Sequence, residues 1–282
     1  MPSGRKKESA ADTAHIQKQH DVVLIFTGSD WSNQAEYFSK TVLNDSFRTE
    51  AEKNYAVQYI DLPRNPAESE RENIQKNYLL FSEYAVSDVP FIVMQTPQQD
   101  IYAAAIIEAE IRTGEALLEK LTELSAQRTA VIEARALIER TQGAEKAKAI
   151  DSFLNTVYGA ESRRYDSLRM QVPGLDPQNI SGLKGKYLLI TADIQAKTLA
   201  HKGDFAGAAA AYQAAAESGE LAAEELQLAW YLTAYAHLMA DNTDTGTVIA
   251  YLQKAVQAAP ESAGVPQIKQ AIQKLQTKAQ VD

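Results

Sequence analysis

The spacing of apolar and polar positions changes period near residue 113. Before that point, residues 21–26 (Asp-Val-Val-Leu-Ile-Phe) form an unbroken β-branched and aromatic run, the pattern of a strand buried on both faces. Residues 33–53 then show helical spacing, with Tyr37, Val42 and Phe47 among the apolar positions. A second strand is predicted over 56–62 and ends at Pro63, which cannot donate to a ladder. Helical spacing returns over 68–84 through Ile74, Tyr78 and Phe81. Two strands joined by a helix of this length imply a parallel crossover. Pro90 opens a third apolar run to Met94, residues 97–100 make a turn, and 101–107 make a fourth strand antiparallel to the third. A helix from Thr113 closes the unit.

Beyond residue 113 no strand pattern is visible and alanine becomes frequent, so the rest reads as all-α. Residues 114–141 predict one long helix through Leu117, Leu121, Leu124, Ile132 and Leu137. Gly143 permits a break. A second helix runs to about residue 158, and 172–185, with Pro173, Gly174, Pro177, Gly182 and Gly185, reads as loop. The class is α/β plus all-α. Its parts are a mobile tail over 1–20, an α/β domain over 21–125, a helical connector over 126–186 and a helical domain over 187–282.

At 282 residues the chain can hold two cores, and 45% apolar with 23% charged side chains is an ordinary globular balance. Its 28 basic and 37 acidic side chains give a net charge of −9, with neither half basic. That argues against nucleic acid and against an anionic membrane surface as partners. No apolar run reaches the roughly 18 residues of a membrane helix, so no membrane insertion is expected. The basic start at Arg5, Lys6 and Lys7 has no apolar stretch behind it. The text therefore reads as cytoplasmic as written, or as cell envelope (periplasm) if a leader has been trimmed.

Candidate chemistry is sparse. His15, His20, His201 and His237 share no ligand spacing with carboxylates, so no metal is expected. Residues 241–246 resemble the start of a calcium loop, but the twelfth position is Leu252 where a bidentate Glu is needed. Residues 182–186 lack the glycine spacing of a phosphate loop, and no cofactor is expected. Asn44-Asp45-Ser46 and Asn179-Ile180-Ser181 are glycosylation sequons by pattern only.

The junction between the first strand and the first helix is more informative. Its frame, Gly28-Ser29-Asp30-Trp31-Ser32-Asn33-Gln34-Ala35, resembles the active-site loop of thioredoxin-like proteins, in the branch whose loop reads Gly-Ser-Asp-Trp-Cys-x-x-Cys. Ser32 and Ala35 stand at the two cysteine positions. Asp61-Leu62-Pro63-Arg64, Val89-Pro90 and the element order extend the resemblance over residues 21–125. It implies a thioredoxin-like βαβ-αββα domain with a cis bond before Pro90, facing the loop. It also implies a groove in which Trp31, Ser32, Val89 and Pro90 dock an extended peptide, whose backbone pairs with the residue before the proline. Exchange of disulfides needs a low-pKa thiolate and a resolving cysteine. The chain has no cysteine, so that activity is excluded. Ser32, or Asn33 with Glu36, caps the following helix on a purely structural reading. On a functional one, the Ser32 hydroxyl bonds a peptide or a small thiol. Trp31 likewise either covers the domain's edge or holds a ligand.

Residues 187–282 resemble tetratricopeptide repeats (TPR). Lys202-Gly203-Asp204-Phe205 matches the turn between a repeat's helices, which puts Ala196, Ala208, Tyr212 and Ala215 on its small and aromatic positions. Trp230, Thr233, Ala234 and His237 stand for a second unit's signature, followed by Val248, Leu252, Ala255 and Pro260; Thr233 and His237 depart from the pattern. The helix from Val265 reads as a cap. The resemblance places Asp193, Lys197, Tyr231 and Tyr235 on a concave, TPR-like binding face, and the Lys/Asn clamp for a chaperone tail is absent.

Two functional readings follow. The first is a redox-inactive binding or adaptor module with a protein or peptide partner, and not an enzyme. The second is a glutathione-dependent transferase in which Ser32 stabilises the thiolate of glutathione. Against the second, the Glu-Ser pair of that family is replaced by Tyr102-Ala103-Ala104-Ala105.

Overall fold

A computed structural model describes residues 20–66, 68, 71–240 and 244–278. The tail predicted over 1–20 lies outside them except for His20, as do residues 241–243 of the calcium-loop resemblance.

Strands β1 (Asp21–Thr27), β2 (Tyr55–Asp61), β3 (Phe91–Gln95) and β4 (Ile101–Ile106) form one mixed sheet in the order β2-β1-β3-β4. β1 runs parallel to β2, with Thr27 opposite Asp61, and antiparallel to β3, with Phe26 opposite Phe91. β4 is antiparallel to β3, with Ile106 opposite Phe91. All of β1 is buried, as an unbroken apolar run in a central strand demands. Pleating sends Val22, Leu24 and Phe26 to one face, where they join Phe91, Val93 and Phe81. Phe26 meets the Phe81 ring edge-on at 5.1 Å. Val23, Ile25, Ile92 and Met94 are fully buried on the other face.

The single helix expected over 33–53 is broken. α1 (Asn33–Tyr37) passes into a π-helical turn (Phe38–Val42), and α2 (Asp45–Ala51) starts anew. The restart has a local cause, because the Asn44 side chain accepts the Phe47 N–H at 2.9 Å and caps α2. α3 (Arg71–Glu83) leads to β3. The helix expected over 114–141 is also divided, into α4 (Gly114–Leu124), a 3₁₀ turn (Ser125–Gln127) and α5 (Arg128–Arg140). At that turn the Ser125 hydroxyl donates to the Leu121 carbonyl at 2.8 Å. α4 packs on α2, and a Cβ on Gly114 would lie 2.8 Å from Phe47 Cβ, so this approach needs a glycine.

α6 (Gly143–Leu154) and α7 (Asp166–Leu175) follow. Pro173 sits inside α7, so the loop predicted from residue 172 begins later, at Asp176. There the Asp176 carboxylate gathers the N–H groups of Ile180 (2.9 Å) and Ser181 (2.6 Å). Hydrogen bonds from Ser181 hold its pKa below the ordinary carboxylate value.

The remaining helices are α8 (Lys184–Ala200), α9 (Phe205–Glu217), α10 (Ala223–Leu238), α11 (Thr245–Ala258) and α12 (Val265–Lys278), each packed on the next. Gly203 turns the chain between α8 and α9 at φ +80°, and Asp204 caps α9 by accepting the Gly207 N–H at 2.8 Å. Ala196, Ala208, Tyr212 and Ala215 are buried in one apolar cluster; Trp230, Ala234, Val248, Leu252 and Ala255 form another.

The chain divides into two compact units. One holds the described residues up to Leu137 together with Ser152–Ser162; the other holds Ile138–Asp151 and the residues from Arg163 onward. Among the described residues no helix is long and apolar enough to cross a membrane.

Candidate functional site

The loop after β1 is fastened to the end of β2. Asp61, opposite Thr27 in the parallel ladder, accepts from Thr27 Oγ1 (2.8 Å), Ser29 N (2.9 Å) and Ser29 Oγ (2.6 Å). One residue on, Asp30 accepts from the backbone N–H of Arg64 (2.6 Å) and Asn65 (3.0 Å) and from Asn65 Nδ2 (3.1 Å). The bond from Arg64 is the main reason its pKa lies below the ordinary carboxylate value. Trp31 closes a turn through its N–H to Gly28 O at 2.8 Å, and its indole Nε1 donates to Leu62 O at 2.6 Å. Its ring lies 6.1 Å from Phe81 and under the Arg64 guanidinium at 5.9 Å. A Cβ on Gly28 would sit 2.4 Å from that ring. The Asp61-Leu62-Pro63-Arg64 segment is thus the loop's anchor.

Ser32 is the N-cap of α1, with Oγ accepting the Ala35 N–H at 3.1 Å. The hydroxyl keeps its own proton to donate. Ala35 is buried at 1% exposure and presents nothing polar. The chain contains no cysteine, so neither position can form a thiolate.

Across from this loop the Val89–Pro90 peptide bond is cis. Pro90 is buried, and Val89 packs with Trp31 against the core cluster that holds Phe26 and Phe91. The Val89 N–H already donates to the neighbouring Asp88 Oδ1 at 2.8 Å. A groove of 320 Å³ runs beside Pro90. One wall is Asn33, Gln34, Tyr37 and Phe38, and the other is Ile107, Glu108, Ala109, Ile111 and Arg112. Of the four residues expected to form a peptide site, Pro90 lines this groove. Trp31 and Ser32 are drawn into the loop's own bonding. Sequence reasoning passed over Gln34, Tyr37, Ile107 and Arg112. The Tyr37 hydroxyl bridges the walls by donating to Arg112 O at 3.2 Å. Gln34 and Tyr37 stand three residues apart on α1, a helical spacing present in the sequence, but residues 108–112 follow the expected fourth strand and belong to no repeating pattern.

In the helical unit, Asp193 accepts from the Tyr212 hydroxyl at 2.8 Å and pairs with Lys197 at 2.6 Å. Burial, then the Asp193 bond, pushes the Tyr212 pKa upward. Tyr231 and Tyr235 lie one turn apart on α10 and are 39% and 54% exposed. The two pairs stand on different helices, α8 and α10. On the inner side of α10, Trp230 stacks on Tyr251 at 5.6 Å and His237 stacks on it at 5.2 Å. Gln227, buried, donates to Ala255 O (3.1 Å) in the last turn of α11 and to Ala259 O (3.0 Å) just beyond its end. Among the described residues there is no group of three or more His, Cys, Asp or Glu able to hold a metal.

A four-stranded mixed sheet of this order, with a loop at the end of β1 facing a proline that opens β3, defines a thioredoxin-like α/β domain. This one lacks cysteine and is followed by helices. A family model described as an uncharacterised protein C-terminal domain matches residues 183–281. The chain is 38% identical over 239 residues to an uncharacterized protein of Treponema pallidum (strain Nichols), covering 85% of this chain and 79% of that protein. It belongs to the same family as that protein. A solved structure described as DsbH Oxidoreductase is 26% identical, covering 43% of this chain and 85% of that one with a TM-score of 0.35.

Proposed function

We propose that the chain is a non-catalytic polypeptide-binding protein, a thioredoxin-like scaffold that holds an extended peptide beside Pro90 and uses its helical part as an adaptor surface. The observation that carries this reading is the pairing of an open groove at Pro90 with a loop that has no reactive group. Trp31, Ser32, Val89 and Pro90 border the peptide's path. An incoming strand competes with Asp88 for the Val89 N–H, and strand-like pairing at this point needs no exchange chemistry. The helical unit reads as TPR-like, with Asp193, Lys197, Tyr231 and Tyr235 as its binding residues. The exposed Tyr231 and Tyr235 support that role, since aromatic side chains suit the centre of an interface. The glutathione-transferase reading gains no support. Tyr102, where that family's pair would begin, gives its hydroxyl to Asp21 at 2.9 Å.

The test uses peptides selected on the wild-type chain by display and measured by fluorescence anisotropy. Gln34→Trp, an exposed position that fills the groove, is expected to weaken groove binders at least about tenfold; Tyr235→Ala does the same for ligands of the helical surface. Insulin reduction stays at its uncatalysed rate. Selected peptides indifferent to both substitutions, or no selection above background, would sink the reading.

A further inference from the structure

β4 lies at the edge of the sheet, and its sequence, Ile-Tyr-Ala-Ala-Ala-Ile, carries neither a charge nor a proline. Those are the devices that ordinarily stop an edge from pairing with another chain. The Ile107 N–H donates to Pro90 O at 2.8 Å, which fixes the alternation along the strand. The backbone groups of Ala105 face β3, and those of Ala104 and Ile106 face outward. At the far end Tyr158 N donates to Ile101 O at 2.9 Å, so the chain itself lies against that end of the edge.

Beside Ala104 and Ile106 lies a groove of 460 Å³, lined by residues of one compact unit. Its floor is Phe91, Val93, Ala104 and Ile106, which share a face of the sheet, and Tyr84 and Tyr158 stand at its walls. Ile106 and Tyr158 are each 48% exposed, so both present apolar surface beside the strand edge. The lining includes Glu83 and Glu161 and no basic side chain. A second copy, itself carrying a charge of −9, would bring like charge to this acidic rim.

We propose that the outer edge of β4 is a second polypeptide site, separate from the groove at Pro90. It takes an extended segment that pairs with Ala104 and Ile106, lays alternate apolar side chains on the groove floor and sets a lysine or arginine against Glu161. Affinity comes from the main-chain pairing and selectivity from the groove.

The probe is a synthetic peptide, acetyl-Lys-Val-Thr-Phe-Thr-Val-Lys-amide, titrated into the full chain, with a Glu-flanked version as control. Saturable binding is expected, weakened at least about tenfold by Ile106→Lys and by Glu161→Lys and unchanged by Gln34→Trp. Both replaced side chains are exposed, and circular dichroism melting checks that the variants fold. Amide hydrogen exchange at Ala104 and Ile106 slows in the complex. Equal affinity for wild type and Ile106→Lys, equal affinity for the two peptides, or unaltered exchange at those amides would overturn the proposal. So would concentration-dependent self-association that Ile106→Lys abolishes, since a second copy would then be the occupant.

Discussion

Asp30 is exposed, yet it organises three donors from the far side of the β2 turn. An ionised carboxylate accepts those bonds better than a neutral acid does, which is why its pKa falls. The linkage has a definite sign. A group depressed in the folded state contributes stability above its unfolded pKa of about 3.9, and that contribution is lost as pH falls through the lower folded value. Asp30→Asn keeps the shape and removes the charge. In urea unfolding, the wild-type advantage over this variant should be constant above about pH 5 and shrink progressively below about pH 4. An advantage undiminished at about pH 2 would mean the charge has no part in holding the loop. Ser32 makes the same point at the next cap: its residue type suits an N-cap, and that is the bond the structure contains.

At the scale of elements, the legible features were those carried by period and composition. The run at 21–26 is strand β1, and Pro90 does precede β3. The breaks inside helices were not legible, because apolar spacing continues across them. Tyr37, Val42 and Phe47 suit one helix, and Phe38, Val42 and Phe47 are all buried although a π-helical turn and a restart separate them. The signal for the restart is Asn44, an N-cap residue type that also opens the Asn44-Asp45-Ser46 sequon. As the cap of α2, Asn44→Ala should cost about 1 kcal/mol. Thermal melting of the full chain should show the α/β transition shifted down while the helical transition stays put. A melt unchanged by the substitution would assign the restart to packing of Phe47 instead. The groove residues 107–112 illustrate a second kind of illegibility. They gain their role from lying beside Pro90 after β4 returns, a consequence of topology that no local pattern encodes.

At the scale of the whole molecule, two buried carboxylates decide where the α/β unit can be cut. Asp21 and Asp100 are 6% and 3% exposed. Asp21 accepts from Arg128 and from the Tyr102 hydroxyl; burial and the nearby Asp21 charge raise the Tyr102 pKa. Asp100 is held by both Nε and Nη2 of Arg135, whose guanidinium lies 4.2 Å over the Phe153 ring. Both arginines follow residue 125, and Phe153 belongs to the Ser152–Ser162 segment of the same unit. A fragment ending at residue 125 keeps every strand and loses the countercharge of two buried acids. Removing one partner of a buried pair costs up to about 3–5 kcal/mol, less at Asp21 because the Arg128 side chain is 42% exposed and screened by water, and a domain's whole stability is about 5–15 kcal/mol. The fragment over 1–125 should therefore lack a cooperative melt and a fixed aromatic environment in near-ultraviolet circular dichroism, while the fragment over 1–162 retains both. If the two melted alike, the arginines would be surface ornaments of a domain already complete at residue 125. If Arg128→Met and Arg135→Met in the full chain reproduced the loss, the ion pairs rather than the missing helix would be its cause.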